Sequence, residues 1–314
     1  MFKVEIKSEE NEDICIVVKV DNHSYNYICE CGQARNLTVK ECQNANAIFI
    51  SHTHIDHFIN FDTILRHQIG IQRTVVIVGP QGIIDQVQHR IKSYCWNLIE
   101  EDSIAYEIRE VISSDRYKSA LLRPPYWEKE NERNIESSNV FVEDNFSIRC
   151  TVLDHKTDSL AFLFVAEDKI KIDLTNDFLG GRWVSELKNA YEKGITDQEI
   201  EVNGTLYTSQ DLFHLLRMEK GTTLGVIMDH APSTENHNKI ESLFADRDRV
   251  YIESFYRNED MDLAIKNHHS YAAKSGEIMN RCNIKQAIPV HFSRKYESDD
   301  IQALIAEFQV AYNN

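Results

Sequence analysis

Residues 51–58 read SHTHIDHF, which places His52, His54, Asp56 and His57 within six positions. The run AIFIS that delivers the chain into this stretch is apolar and β-rich, so a buried strand leads directly into three imidazoles and a carboxylate. A solvated loop has no need of that crowding, and a hydrophobic core tolerates it only with partners. Neutral imidazole is the commonest side-chain ligand for zinc, and aspartate adds a harder, negative one. A strand end followed by a turn can aim His52 and His54 at one metal, and Asp56 and His57, one step further on, at a second. The plainer alternative is a histidine-rich loop at a helix start.

Two metals need more donors than this motif holds, roughly four or five each. The remainder should arrive where later strands meet loops. His155 ends SIRCTVLDH, Asp229 ends TTLGVIMD and His291 ends QAIPVH, each after an apolar run.

The rest of the chain bounds what such a site could serve. It has 314 residues, 42% of them hydrophobic, enough to fill a core. No apolar run reaches the length of a membrane span, and the opening MFKVEIKSEENEDICIVV carries charges where a signal peptide needs an apolar stretch. The seven cysteines are scattered and odd in number, which suits reduced thiols and a cytoplasmic protein. Cys29 and Cys31 form a C-x-C in NYICECG and are expected as small buried residues on one face of a strand. The net charge of −16 excludes a protein that coats nucleic acid through a general basic footprint.

Short β-rich runs alternate with polar turns over 13–51. Helical apolar spacing follows at Ile59, Ile64, Leu65 and Ile69, with Gly70 as the stop. TVVIV at 74–78 reads as a buried strand, and GPQG turns the chain into a helix whose apolar face carries Ile83, Ile84, Val87, Ile91 and Cys95. Strands are expected at about 104–112, 146–154 and 160–166, with RPPYWEKENER as a loop. The last third alternates again: LGVIMD, a helix near 238–245, VYIESF, a helix near 270–281, QAIPVHF, and an amphipathic helix from Ser298. Alternation in both halves predicts a layered α/β domain over 1–314. Residues 167–221 interrupt it with a polar segment containing GG, NG and KG turns, an inserted arm.

His-x-His-x-Asp-His after a strand, followed by single histidine, aspartate and histidine ligands in this order, resembles the metallo-β-lactamase superfamily. The resemblance implies a four-layer αββα sandwich with a dinuclear metal site between two sheets. It assigns His52, His54 and His155 to one metal and Asp56, His57 and His291 to the other, with Asp229 bridging. Two zinc ions are implied, although such ligands also suit manganese or iron.

Over about residues 27–296 the chain further resembles ribonuclease Z, the tRNA 3′-processing endonuclease. VLDHKTDSLAFLF, VGPQGI, RVYIESFY and HHSYAAKSGEIMNRCNIKQAIPVHFSRKY carry that likeness, and LGGRWVSELKNAYEKG in the arm faintly resembles the core of the family's tRNA-clamping arm. By this resemblance Glu253 and His269 are functional alongside Asp56, and the chain is a homodimer acting on precursor tRNA. Asp56 would orient or deprotonate the attacking water, and His269, held by Glu253, would donate a proton to the departing 3′ oxygen. An ordinary strand-end ion pair is the alternative for Glu253 and His269. Thioester or lactam hydrolysis on the same fold would need no such pair.

The chain departs from the family in two places. It lacks the glycine–threonine loop near the N-terminus, and its arm is net acidic. Lys169, Lys171, Arg182, Lys188, Lys193, Arg217 and Lys220 face Glu167, Asp168, Asp173, Asp177, Glu186, Glu192, Asp197, Glu199, Glu201, Asp211 and Glu219. Phosphate neutralisation dominates nucleic-acid affinity, so a small phosphodiester such as a cyclic nucleotide is the alternative substrate. Lys171, Arg182 and Lys188 could form a local stripe for RNA, and Trp183 is a candidate to meet a base. Ser293 and Arg294 in HFSRKY could touch a phosphate, with a helix cap as the alternative for Ser293. His230 reads as a residue behind the site or at the surface, and Asp154 as pointing away from it. His23, His67, His89, His214 and His237 lack ligand spacing.

Overall fold

In the computed structural model, which describes residues 1–10, 12–174 and 178–314, the β-rich runs pair into two large sheets. The first has the spatial order β1 (Phe2–Ile6), β2 (Ile16–Val20), β3 (Asn26–Cys29), β4 (Ala45–Phe49), β5 (Thr74–Gly79), β6 (Ala105–Ser113), β7 (Arg116–Leu122) and β8 (Lys129–Glu136). Its centre, β3 to β6, is parallel, and hairpin-like antiparallel pairs extend it on both sides.

The second sheet uses β9 (Phe141–Glu143), β10 (Phe146–Asp154) and β11 (Asp158–Ala166). The chain then departs through β12 (Lys169–Ile172), β13 (Glu199–Val202), β14 (Thr205–Thr208) and β15 (Leu216–Glu219). It returns to the sheet in β16 (Thr223–Ile227), β17 (Arg249–Glu253) and β18 (Gln286–Val290). The order across is β18-β17-β16-β11-β10-β9, and β16, β17 and β18 run parallel.

Strand alternation makes the layers. Ile16, Val18, Cys29, Phe49 and Val78 face Phe146, Phe162, Phe164 and Val226 of the second sheet. Their neighbours Val17, Ile28, Ile48 and Ile77 face the other way, onto Phe61, Ile64, Ile83, Val87 and Ile91 of helices Phe61–Gln68 and Ile83–Lys92. On the far side, Ile227, Val250 and Ile252 pack under Ile240, Phe244, Ile278, Leu304 and Phe308 of helices Thr234–Phe244, Ala272–Arg281 and Ser298–Tyr312. The result is a four-layer αββα sandwich, as expected.

Residues Met1–Val165 with Thr222–Asn314 form one compact unit and Ala166–Gly221 another. The second unit holds helix Trp183–Glu192 against a small core of Trp183, Leu187, Ile200, Val202, Leu212 and Leu215. Asp177, counted among the arm's acids, lies outside the described residues. No helix among the described residues is long and apolar enough to cross a membrane.

Several local expectations are corrected. RPPYWEKENER is not all loop, because β8 begins at Lys129 and continues to Glu136. That strand, KENERNIE, is an edge whose side chains are mostly exposed, so it carries no hydrophobic alternation to read. Cys95 does not lie on the helix face, since the helix ends at Lys92 and Cys95 is exposed. Helix Thr234–Phe244 starts earlier than expected, capped by the Ser233 side chain. Cys29 and Cys31 are buried, but on opposite faces: Cys29 lies between the sheets and Cys31 under the helices. Glu30 between them has φ +68°, which breaks the strand's alternation. Trp183 is buried in the arm's own core and its Nε1 donates to the Leu179 carbonyl at 2.9 Å, so it is not open to a base.

Candidate metal centre and active site

Strand direction gathers the site. In open α/β sheets, functional groups collect beyond the carboxyl ends of parallel strands. The chain leaves β4 at Phe49 and enters SHTHIDHF, with Asp56 and His57 in a short helix, Ile55–Phe58. Asp229 follows β16 by two residues, Glu253 is the last residue of β17, and His291 follows β18 directly. His155 sits in the tight turn between β10 and β11. His291 itself adopts a left-handed φ of +57°, a conformation that non-glycine residues hold only where the surroundings require it.

Three groups of donors result, each with ligand atoms within 4.8 Å of one another: His52, His54, His155 and Asp229; Asp56, His57 and His291; and Asp229 with the Glu253–His269 pair. Asp229 faces the histidines of the first two. Its Oδ2 lies 3.7 Å from His52 Nε2 and 3.4 Å from His155 Nε2. Its Oδ1 lies 3.4 Å from His57 Nε2 and 2.9 Å from His291 Nδ1. His52 Nε2, His57 Nε2, His291 Nδ1 and Asp229 Oδ1 are all buried, and none has an aligned hydrogen-bond partner. Close approach without a hydrogen bond is what lone pairs aimed at a shared cation produce. Unpartnered buried polar atoms are otherwise costly and rare, so the donor set fits divalent metal ions.

The opposite nitrogen of three imidazoles is held from behind. The His52 Nδ1 is 3.0 Å from Ser51 Oγ, His57 Nδ1 is 3.0 Å from Glu30 Oε2, and His155 Nδ1 donates to the His268 carbonyl at 2.7 Å. Such bonds fix the tautomer and leave Nε2 pointing inward. Glu30 was not picked out from the sequence. It is fully buried, accepts the Ser51 amide at 3.0 Å with its other oxygen, and owes its aim to the left-handed turn after β3. An acid flanked by cysteines at the end of a buried strand was the available signal, because a buried carboxylate requires partners.

Burial pushes the His52 and His155 imidazoles down, helped by neighbouring histidines, which keeps them neutral as ligands must be. At His57 burial pulls the same way, but the carboxylates of Asp229 and Glu30 outweigh it and raise the imidazole. Burial would lift Asp229, yet His291 and His57 hold its carboxyl well below the usual range. The centre is thus built around negative charge.

Glu253 and His269 stand beside it. Glu253 is fully buried; one oxygen takes His269 Nδ1, and the other accepts the His230 and Ser270 amides at 3.1 and 3.2 Å. His269 Nδ1 is also 3.6 Å from Asp229 Oδ2. Burial lowers the His269 imidazole, but the adjoining Glu253 carboxylate raises it above its ordinary value. His230 is buried behind the site, its Nδ1 on the Met228 carbonyl at 2.9 Å. Asp154 is exposed, and its carboxylate lies 3.3 Å from His268 Nδ1.

The candidate phosphate contacts are placed less favourably. Ser293 is buried in a turn, its amide donating to the Phe255 carbonyl at 3.0 Å; it caps no helix, since the cap position of the last helix is Glu297. The Arg294 guanidinium is paired with Asp13. Lys171, Arg182 and Lys188 belong to the second unit, where Arg182 pairs with Glu186 at 3.0 Å.

A sandwich of this kind, with a histidine–aspartate cluster at the ends of its strands, is the metallo-β-lactamase fold. The solved structure of the metallo-β-lactamase fold protein YhfI from Bacillus subtilis is similar, with a TM-score of 0.58, 11% identity, and coverage of 100% of this chain and 94% of that one. Within the fold, the chain is similar to ribonuclease Z of Deinococcus radiodurans, 24% identical over 298 residues, 91% of this chain and 87% of that protein. The short form of human tRNase Z is also similar in structure, with a TM-score of 0.57, 14% identity and 94% coverage of each chain. No family model matches. The ribonuclease Z resemblance read from the sequence is therefore found again among its relatives.

Proposed function

We propose that this chain is a metal-dependent endoribonuclease of the ribonuclease Z type that removes the 3′ trailer of precursor tRNA. The observation that carries the reading is the convergence of unpartnered, buried nitrogen and oxygen atoms on the two oxygens of Asp229, with the Glu253–His269 pair alongside. In this reading His52, His54 and His155 would hold one zinc ion and Asp56, His57 and His291 the second, with Asp229 a ligand available to both. When bound, the two ions supply Lewis-acid activation of water and of the phosphoryl group.

The chain's own residues do the rest. Asp56, about one-third exposed and 3.7 Å from His57 Nε2, stands where it can orient an incoming water and take its proton. Glu253 occupies His269 Nδ1, so Nε2 is the nitrogen free to deliver a proton to the departing 3′ oxygen. Lactam or thioester hydrolysis gives that pair no task, which favours phosphodiesters. Similarity to ribonuclease Z over most of both chains supports RNA as the substrate. The unit Ala166–Gly221 is the segment that would engage the tRNA body. Seven free cysteines suit a reducing cytoplasm, and a homodimer is expected to elute at about twice the 36.5 kDa chain mass.

One observation favours a second substrate, a small phosphodiester. The arm's acids outnumber its bases, eleven to seven, a poor field for polyphosphate. The deciding experiment is cleavage of precursor tRNA with a 3′ trailer beside bis-p-nitrophenyl phosphate, comparing the zinc-loaded protein with Asp56→Ala. Loss of both activities in the variant establishes the endonuclease. Cleavage of the small diester alone leaves a two-metal phosphodiesterase and removes tRNA.

A further inference from the structure

A single hydrogen bond donated by Nδ1 to Glu253 fixes one nitrogen of His269 but leaves the imidazole free to tilt about that contact. The ring has a second restraint. Phe255, two residues beyond Glu253, lies flat against it, with centroids 3.9 Å apart and planes inclined by only 10°. The remaining ring neighbours do not lie flat on it: His155 meets His269 edge-on at 4.6 Å, Tyr256 edge-on at 5.9 Å, and His291 is inclined by 43° at 6.4 Å. Phe255 also approaches His291, at 5.1 Å and 45°, and its carbonyl accepts the Ser293 amide at 3.0 Å. Its backbone is therefore pinned to the turn that carries His291, while its ring covers His269.

We infer that Phe255 is a positioning residue: its ring face sets the plane of the His269 imidazole and holds it in register with the metal centre through His291. This rests on the reading that His269 serves the reaction. The geometry separates two ways an apolar residue can help. Leucine would keep the apolar contact, but only a flat ring can dictate an imidazole's plane. Glu253 supplies the hydrogen bond that selects the reactive nitrogen, and Phe255 supplies the orientation that one hydrogen bond lacks. The side chain is half-buried, so replacements there disturb the core little.

The test compares Phe255→Leu, Phe255→Tyr and His269→Gln in the zinc-loaded full chain. Turnover is measured on precursor tRNA and on bis-p-nitrophenyl phosphate, and nitrogen NMR is recorded on histidine-labelled protein, with the His269 signals assigned from His269→Gln. Phe255→Leu should lower kcat about tenfold with KM nearly unchanged and zinc content intact, an effect the size of a well-formed aromatic stack. Phe255→Tyr should recover most of that loss. The His269 ring signals should broaden or shift in the leucine variant and return to the parent positions in the tyrosine variant. Leucine performing as well as tyrosine, or His269 signals identical in the parent, Phe255→Leu and Phe255→Tyr proteins, overturns the inference. If His269→Gln leaves cleavage untouched, the catalytic part of the proposed function fails instead, and the NMR comparison still decides what Phe255 does.

Discussion

The metal centre and the arm Ala166–Gly221 are stabilised in opposite ways. At the centre, buried nitrogens and oxygens are left without hydrogen-bond partners, and carboxylates are packed among imidazoles. That arrangement costs folding energy and makes sense only if cations supply what is missing. The arm hides a core of six residues and satisfies its polar groups locally, through caps such as Thr208 and surface pairs such as Arg217–Asp173. Unmet valence marks a site where chemistry is prescribed atom by atom. A satisfied, mixed-charge surface constrains function far more loosely.

The sharpest way to break this contrast is to neutralise the carboxylate whose two oxygens face the two sets of histidines. Asp229→Asn keeps the shape but withdraws the charge that His52, His155, His57 and His291 surround. Zinc content should fall from two to one or none per chain, and diester turnover by on the order of a thousandfold. A variant that keeps two zinc ions and stays within tenfold of the parent would falsify the assignment of Asp229 as the shared ligand.

A second cut tests the arm. A Cβ at Gly221 would lie 1.9 Å from the Ala166 carbonyl, so the arm's two ends meet and a short glycine linker can replace 168–220. Turnover of bis-p-nitrophenyl phosphate should remain within about threefold, while cleavage of precursor tRNA falls on the order of a hundredfold, the loss expected when remote backbone contacts are removed. Equal loss on both substrates would mean that the arm is part of the fold's support. No loss on tRNA would mean that it does not engage RNA.

The same contrast explains what was legible in the sequence. His52, His54, Asp56 and His57 announce themselves because coordination demands particular atoms at close spacing, and His155, Asp229 and His291 because each ends an apolar run. The layered α/β character followed from alternating periods, which burial imposes residue by residue, whereas the four-layer sandwich was implied only by the resemblance to the metallo-β-lactamase superfamily. Glu30 escaped because its role depends on a left-handed turn, and backbone conformation at a non-glycine residue leaves little trace in sequence. β8 escaped because KENERNIE is an exposed edge with no apolar face. The pairing of Arg294 with Asp13, 281 residues apart, is a contact that only the fold creates.

Glu30 sharpens the contrast from the side of the centre. In Glu30→Gln the amide can still reach the Ser51 amide and His57, but without charge behind the imidazole. Affinity for the more weakly held zinc, read by competition with a chromogenic chelator, should drop roughly tenfold, the usual scale for a residue supporting a metal ligand. The control Arg182→Gln, on the arm's exposed surface, should leave it unchanged. If both variants bind zinc like the parent, Glu30 does not tune the site.

The smallest effect belongs to the arm's own scaffolding. The Asp211 carboxylate accepts the Thr208 hydroxyl and, at 3.1 Å, the Thr208 amide, closing a cap on helix Ser209–Leu212. These bonds hold its carboxyl below the ordinary value of 3.8. A depressed carboxylate contributes stability that is fully present above its unfolded pKa and is lost as pH falls through its folded one. The cap should therefore persist at neutral pH and open only below about pH 3.8. The Thr208 amide resonance followed through an acid titration reports this directly, and Asp211→Asn should abolish the transition. A midpoint at or above the ordinary aspartate value would show that the cap is not held in solution. The arm would then be looser than its small core implies, and its part in binding would rest on folding against the substrate.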